Sequence, residues 1–248
     1  MVLYVVYRAS KEFKDRSVLA RRLRELGCKQ LHRAFWEINE EKAYKVLKVL
    51  EKNQPILLKR VREIRKPQFM GYNEVSELGS LVIVMYAAPK EVKRGKIKNA
   101  LKRAPCIRLR RSVYAFSQKH SLFDKDNKLV DALKFADFIK GIQGHVKVIP
   151  RVVIVNTNSI GRLLQEIRER VEGESFDIVR CCKELYGKAL RGCDVRLIKD
   201  SLSKNKRRFI TLKRIAAFYE KWLKMDFSRS LMKSYKAVKK VNFIVNRK

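Results

Sequence analysis

Acidic residues are scarce in this 248-residue chain: 25 Asp and Glu stand against 59 Lys and Arg, a formal net charge of +34. That deficit excludes the balanced surface of a thermophile, in which Glu rises alongside Lys. Long apolar runs are missing too, and none approaches the ~20 residues that a spanning helix needs. The opening run Met1–Tyr7 is too short for a signal-peptide core, and Arg8 ends it with no small-residue cleavage site behind it. Glycine is spread thinly, ten in all, with neither GxxxxGK[ST] nor GxGxxG to cradle a phosphate. No Ser, Cys or Thr stands in a nucleophile motif. His32, His120 and His145 lack HxxxH or HxxxxH spacing, so they read as structural. The five cysteines (Cys28, Cys106, Cys181, Cys182, Cys193) show no CxxC and read as apolar thiols of a reducing, cytoplasmic setting. Asp124-Lys125-Asp126-Asn127 starts like a calcium loop, but Leu129 and Phe135 stand where Gly and Glu are required. It reads as an acidic turn, and neither metal nor cofactor is expected.

What remains is charge and a repeat. Self-repulsion at +34 opposes a compact state unless a polyanion offsets it, and nucleic acid is the default polyanion because each neutralised phosphate releases a counterion. A hydrophobic fraction of 46% is ordinary for a folded protein and rules out a disordered basic tail. Tyr7-Arg8-Ala9-Ser10-Lys11-Glu12 is matched by Tyr86-Ala87-Ala88-Pro89-Lys90-Glu91 at an offset of 79. At an offset of 78, Leu23 meets Leu101, Cys28 meets Cys106, Leu31 meets Leu109 and Arg33 meets Arg111, while Phe35-Trp36 falls on Val113-Tyr114. Two copies of one small domain in one chain predict a pseudo-dimeric monomer, in which a single polypeptide does the work of two identical ones.

Each copy reads as strand, helix, strand, helix, strand. In the first, the strand 2–7 is apolar and β-branched, and a helix capped by Asp15 or Ser17 carries Leu19, Leu23 and Leu26 on one face before Gly27. Lys29–Ile38 alternates as one strand, Glu40–Lys52 is a helix, and Pro55–Ile64 a strand. The second copy predicts strands at 81–86, 106–116 and 146–155 with helices at 92–103 and 128–142. The fold class expected is α+β: two tandem ferredoxin-like (βαβ-αβ) modules at 1–66 and 81–156, a linker at 67–80, and a basic helical region at 157–248. In that region helices are expected at 160–171, 176–190, 212–225 and 230–241.

The module resembles the ferredoxin-like superfamily of small CRISPR adaptation subunits, which open with a strand ending Tyr-Asp and continue, after a helix, into a strand of the type Gln-x-Ser-Val-Phe. The pieces here are Val5-Val6-Tyr7-Arg8 with Leu31-His32-Arg33-Ala34-Phe35, and Val84-Met85-Tyr86-Ala87 with Leu109-Arg110-Arg111-Ser112-Val113-Tyr114. Leu212–Asp226, with Ile215, Tyr219, Lys224 and Asp226-Phe227, is similar to helices in the N-terminal region of the chromate-resistance regulators; chromate binding is not implied. The resemblance implies a nucleic-acid protein. In its nuclease members the Asp ending the first strand is the proposed metal ligand, and Arg8 and Ala87 stand there in this chain, which argues against hydrolysis at that site.

The basic clusters carry the functional reading. Arg21 and Arg22, with Arg16 and Arg24, lie on the polar side of the first helix, and Arg33 follows in the next strand. From Tyr86 to Arg111 ten bases (Lys90, Lys93, Arg94, Lys96, Lys98, Lys102, Arg103, Arg108, Arg110, Arg111) face the single acid Glu91. Lys204, Lys206, Arg207 and Arg208 crowd a turn or loop, followed by Lys213 and Arg214; residues 200–248 hold 15 bases and 3 acids. Such clusters predict phosphate contacts that position the protein without reading sequence. Tyr72 and Tyr114 are candidates to stack on bases. The expected function is non-enzymatic nucleic-acid binding, with double-stranded DNA favoured and RNA possible, no membrane partner, and a role as regulator or architectural factor. The alternatives are a metal-dependent nuclease of the small Cas type with a relocated site, and a ribosome- or RNA-associated basic protein.

Overall fold

The computed structural model describes residues 2–8, 16–71, 74–89, 91–92 and 94–246, and of Arg16 the backbone alone. Asp15, Tyr72, Lys90 and Lys93 lie outside the described residues. The chain is α+β, with a large antiparallel sheet and helices at its C-terminal end, and it divides into two compact units, Met1–Leu164 and Gln165–Lys248.

In the first unit, β1 (Leu3–Val6), α1 (Arg16–Glu25), β2 (Lys29–His32), β3 (Phe35–Ile38), α2 (Ala43–Leu50) and β4 (Ile56–Arg60) come first. A small hairpin follows, β5 (Gln68–Met70) and β6 (Glu74–Glu77), inside the stretch expected to be a plain linker. Then come β7 (Leu81–Ala87), α3 (Arg94–Lys102), β8 (Cys106–Arg110), β9 (Val113–Ser117), the single turn α4 (His120–Phe123), α5 (Ala132–Gly141) and β10 (His145–Ile154). The spans 29–38 and 106–116, each expected as one strand, are hairpins. In both, two residues turn the chain: Arg33-Ala34 and Arg111-Ser112, the latter with Ser112 at φ 67. Neither pair carries the Gly or Asn that usually marks such a turn.

Eight strands form one sheet in the order β2-β3-β1-β4-β10-β7-β9-β8, which lists corresponding strands of the two copies outward from the centre. At the centre β4 and β10 pair antiparallel, Val152 opposite Arg60 and Ile154 opposite Leu58. Helices cover one face of each half. Leu3, Val5, Tyr7 and Trp36 pack with α1 and α2, and Val82, Val84 and Phe116 pack with α5 residues Phe135 and Ile139. Side chains alternate along a strand, so Tyr4, Val6 and Phe35 in one half, and Leu81, Ile83 and Met85 in the other, point to the opposite face. They too are buried, Val6 and Ile83 completely.

The sheet therefore curls until its two bare faces close on each other. Four strands separate β1 from β8, roughly 24 Å in a flat sheet, yet Arg110 donates from Nη1 to the Tyr7 carbonyl at 2.7 Å and lies over the Tyr7 ring. Arg8 returns the contact, donating to the carbonyls of Leu109 and Arg108 at 3.2 and 2.8 Å. The repeat pairs Arg110 with His32, whose Nε2 lies 3.2 Å from the carbonyl of Tyr86, the counterpart of Tyr7. One half uses a guanidinium where the other uses an imidazole.

The helical region differs from the four short helices expected of it. The helices anticipated at 160–171 and 176–190 are one, α6 (Asn158–Leu190), which begins in the sheet unit. The basic run 204–214 is not a turn: it lies inside α7 (Val195–Leu223), and α8 (Ser228–Val245) follows. Within the second unit Ile198, Leu202, Asn205, Leu212, Ile215, Tyr219 and Trp222 form the buried stripe of α7, at steps of three, four and, between Asn205 and Leu212, seven residues. Phe218, Tyr219 and Trp222 pack ring to ring. Gly173 costs α6 about 1 kcal/mol relative to Ala, but Val171, Ser175 and Ile178 around it are buried and hold the helix through. Ser175 Oγ donates to the Ser230 carbonyl at 2.8 Å and meets Ser234 Oγ at 2.8 Å, so small side chains bring α6 and α8 close.

Gly79 fixes the entry into β7. It sits at φ +72, and a Cβ there would come within 2.8 Å of Lys66 C and Pro67 N and 2.9 Å of the Arg65 carbonyl oxygen. The same crossing is tied by Ser80 N–H to the Arg65 carbonyl and by Arg65 N–H to Ser80 Oγ. Gly79→Ala is therefore expected to cost at least about 1–3 kcal/mol in backbone strain alone, read as a lowered urea midpoint at unchanged slope.

The tie at His32 predicts a pH dependence. Burial pushes the imidazole pKa below its ordinary 6.5; the bond to Tyr86 opposes the shift, and Arg33 and Arg110 add to it. The unfolded chain then takes up a proton that the folded chain refuses. The contribution is complete above pH 6.5 and declines as pH falls through that value towards the depressed folded one. His120 is shifted the same way by burial, against the pull of Asp131 and Asp124. The urea midpoint should fall between about pH 7.5 and pH 5.5. His32→Gln keeps a donor for the Tyr86 carbonyl but cannot titrate, so it should show a smaller fall; an unchanged fall would remove His32 from this account.

Candidate nucleic-acid interface

The densest set of sequence-predicted cations lies on the second half of the sheet unit. Ile97 faces the core from α3, with Ala100 and Leu101 partly buried beside it, which turns Arg94, Lys96, Lys98 and Lys102 to solvent. Arg94, Lys98 and Lys102 recur every fourth residue and so form one stripe along the helix. Arg103 follows at the helix end, also exposed. On β8, Cys106 belongs to the helix-covered core, so Arg108, two residues on, faces the same side as α3 and is exposed. Arg111 is exposed in the β8–β9 turn. Among the described residues Arg94, Lys96, Lys98, Arg103, Arg108 and Arg111 make no ion pair. Arg110 differs from these, its guanidinium being committed to Tyr7.

In the first half, Arg21 and Arg22 are exposed on α1, and Arg21 lies 3.7 Å from Glu25. Arg33 is exposed in the β2–β3 turn, where its carbonyl accepts from Gln30 Nε2. Arg24 lies over the Trp36 ring and donates to Gln30. This face is thinner in free charge than its counterpart on α3.

The 204–214 set divides along the helix. Lys204, Arg207, Lys213 and Arg214 are exposed on α7. Lys206 turns to α8 and donates to Asn242 Oδ1 at 2.7 Å. Arg208 turns to α6, donating to Glu174 Oε1 at 2.8 Å, with Cys181 Sγ 3.9 Å away. Burial would lower the guanidinium pKa, but Glu174 outweighs it and holds Arg208 firmly charged. Lys206 and Arg208 thus join helices, and the other four of the six cations are exposed.

Tyr114 is half-buried, stacked near Tyr86 and edge-on to Phe135, and so belongs to the core. The Asp124–Asn127 turn already holds a cation of its own: Lys134 Nζ donates to the Asn127 carbonyl, Asn127 Oδ1 and the Leu129 carbonyl at 2.7, 2.6 and 3.0 Å. Asp124 accepts from Leu129 N–H and Asp126 pairs with Lys128. All five cysteines are unpaired thiols, and burial, reinforced by the neighbouring Cys181, pushes Cys182 up to about 11. Among the described residues no three His, Cys, Asp or Glu side chains gather as a metal site requires, and no helix is long and apolar enough to cross a membrane. At the end of the first strand, Arg8 spends its guanidinium on two carbonyls, which does not fit a divalent cation there.

One basic cleft lies outside the clusters that the sequence singles out. Lys59, Arg60, Arg62 and Arg65 share a cleft of about 750 Å³ with Arg151, Glu63, Val2 and Val61. A signal was present, since five bases fall within residues 59–66 beside one acid. Arg151 was out of reach because only the β4–β10 pairing brings it there.

Comparison of the chain with protein-family models, with curated proteins and with solved structures finds no match.

Proposed function

We propose that this chain is a non-enzymatic nucleic-acid-binding protein, with double-stranded DNA the favoured partner, acting as a regulator or architectural factor. The observation that carries the reading is the face formed by α3 and β8, where Arg94, Lys96, Lys98, Arg103, Arg108 and Arg111 are exposed and make no ion pair among the described residues. Unneutralised like charges on one face oppose folding, and a phosphate backbone removes that cost while releasing counterions. The stripe Arg94, Lys98, Lys102 suits a line of single charges, which is what a strand of phosphodiesters presents. We read the sheet unit as two tandem ferredoxin-like modules in a pseudo-dimer; the strand order, the antiparallel pairing within each half and the sequence repeat support this. The resemblance to small CRISPR adaptation subunits agrees with that reading, and Arg8 and Ala87 in place of carboxylates favour binding over cleavage.

Affinity for duplex DNA is expected to fall about 10³-fold between 50 and 200 mM salt if about six phosphates are engaged. Lys98→Ala with Lys102→Ala should weaken binding to all sequences alike and make the salt slope shallower by about two units. Arg208→Ala should leave that slope unchanged and instead lower stability by about 1.5–3 kcal/mol, the value of a hydrogen bond to a charged group. Fluorescence anisotropy across a salt series reads the first two and urea unfolding the third. A flat salt dependence would show the α3 face to be merely solvated.

Purified protein is expected not to cut DNA or RNA when Mg²⁺ or Mn²⁺ is added. Cleavage that a chelator abolishes would overturn the non-enzymatic reading.

A further inference from the structure

We propose that the cleft at the β4–β10 join binds a ligand carrying a phosphate monoester or polyphosphate, a site distinct from the α3 face. Lys59, Arg60, Arg62, Arg65 and Arg151 line it against the single acid Glu63; Arg60 hydrogen-bonds the Tyr4 hydroxyl, and among the described residues none of the five makes an ion pair. The arrangement is built rather than incidental. Arg151 sits at φ 56, a left-handed backbone that a non-glycine residue adopts at a cost, in a bulge between Ile149 and Val152. Three bonds hold it there: its N–H donates to Gln118 Oε1 at 3.0 Å, its carbonyl accepts from Val61 N–H at 2.8 Å, and its Nη1 donates to the Arg62 carbonyl at 3.2 Å. Arg65 is fixed from the other side by the crossing at Ser80. Strain is thus spent on bringing a cation from β10 to the cleft that Arg62 and Arg65 line from the other strand's side.

The shape selects the ligand. Along α3 the charges follow one another in a line, which suits diesters strung along a strand. Here bases from both sides of the β4–β10 join line one concave space of about 750 Å³, within the size of a small-molecule site. A compact group bearing several charges satisfies such a site better than one backbone phosphate does. Val2 and Val61 supply an apolar wall for a sugar or a base. The shared chemistry is a terminal phosphate or polyphosphate, from either a free nucleoside polyphosphate or the phosphorylated end of a strand.

The test is calorimetric titration of the full chain with sodium tripolyphosphate at about 150 mM salt, near physiological ionic strength. One saturable site per chain is expected. Arg62→Gln with Arg65→Gln, both exposed, should weaken it at least about tenfold, the loss of about 1.4 kcal/mol. Lys45→Gln with Lys48→Gln removes the same charge from exposed positions on α2 that do not line the cleft, and should leave it unchanged. Many weak sites, or equal weakening by both pairs, would reduce the cleft to general charge and overturn the proposal, as would an absence of saturable heat. Displacement of tripolyphosphate by a 5′-phosphorylated oligonucleotide and not by its 5′-hydroxyl twin supports the site with a strand end as ligand. Displacement by ATP, with the two oligonucleotides alike, supports it with a free nucleotide. Tripolyphosphate binding is read without DNA, so failure of duplex binding on the α3 face leaves this result standing.

Discussion

The sheet unit depends on the ladder between β4 and β10, three residue pairs long, with Val61 N–H reaching the Arg151 carbonyl beyond its end. The bonds themselves are modest, each contributing about 1 kcal/mol net. Their effect is geometric: they place two half-sheets so that one can curl over the other. Tyr4, Val6 and Phe35, with Leu81, Ile83 and Met85, then leave water together. Full burial of one large apolar side chain contributes about 1.5–3 kcal/mol, so the closure outweighs the ladder that sets its register. Arg8, Arg110 and His32 fasten the far edges.

Much of this was legible in the chain before the fold. The repeat at 79 and 78 residues pairs Tyr7 with Tyr86 and Phe35-Trp36 with Val113-Tyr114, and the sheet gives these residues the same partners: Val5 stands opposite Trp36 as Val84 stands opposite Tyr114. Apolar runs marked the central strands because both their faces are covered. The hairpins at 29–38 and 106–117 stayed hidden because alternation continues through turns made of Arg-Ala and Arg-Ser. The continuity of α6 and α7 was obscured by local polarity. Gly173 and the run from Lys204 to Arg208 look like breaks until buried residues on either side, Val171 with Ile178 and Leu202 with Leu212, are seen to share a stripe.

The candidate site was legible in charge and not in direction. Composition predicts that cations cluster, but it does not separate Arg207, which is exposed, from Arg208, which is locked to Glu174 one residue later. On a helix adjacent residues point about 100° apart, so a basic run always divides between inner and outer faces. Arg110 shows the same in a strand, held by Tyr7 while Arg111 beside it is free to solvent. The cleft required the sheet itself, since Arg151 and Arg62 are far apart in sequence and meet only across the central join.

The covalent passage through residues 65–80 has a consequence for how the two halves behave in a cell. Two separate copies would come apart on dilution and would share every change of sequence across their axis. Joined in one chain, they keep a one-to-one ratio at any concentration, and each is free to vary alone. Arg60 faces Val152 at the centre, and His32 stands where the other half has Arg110. One face can therefore gather charge while its twin stays sparse, a division of labour that identical partners could not adopt.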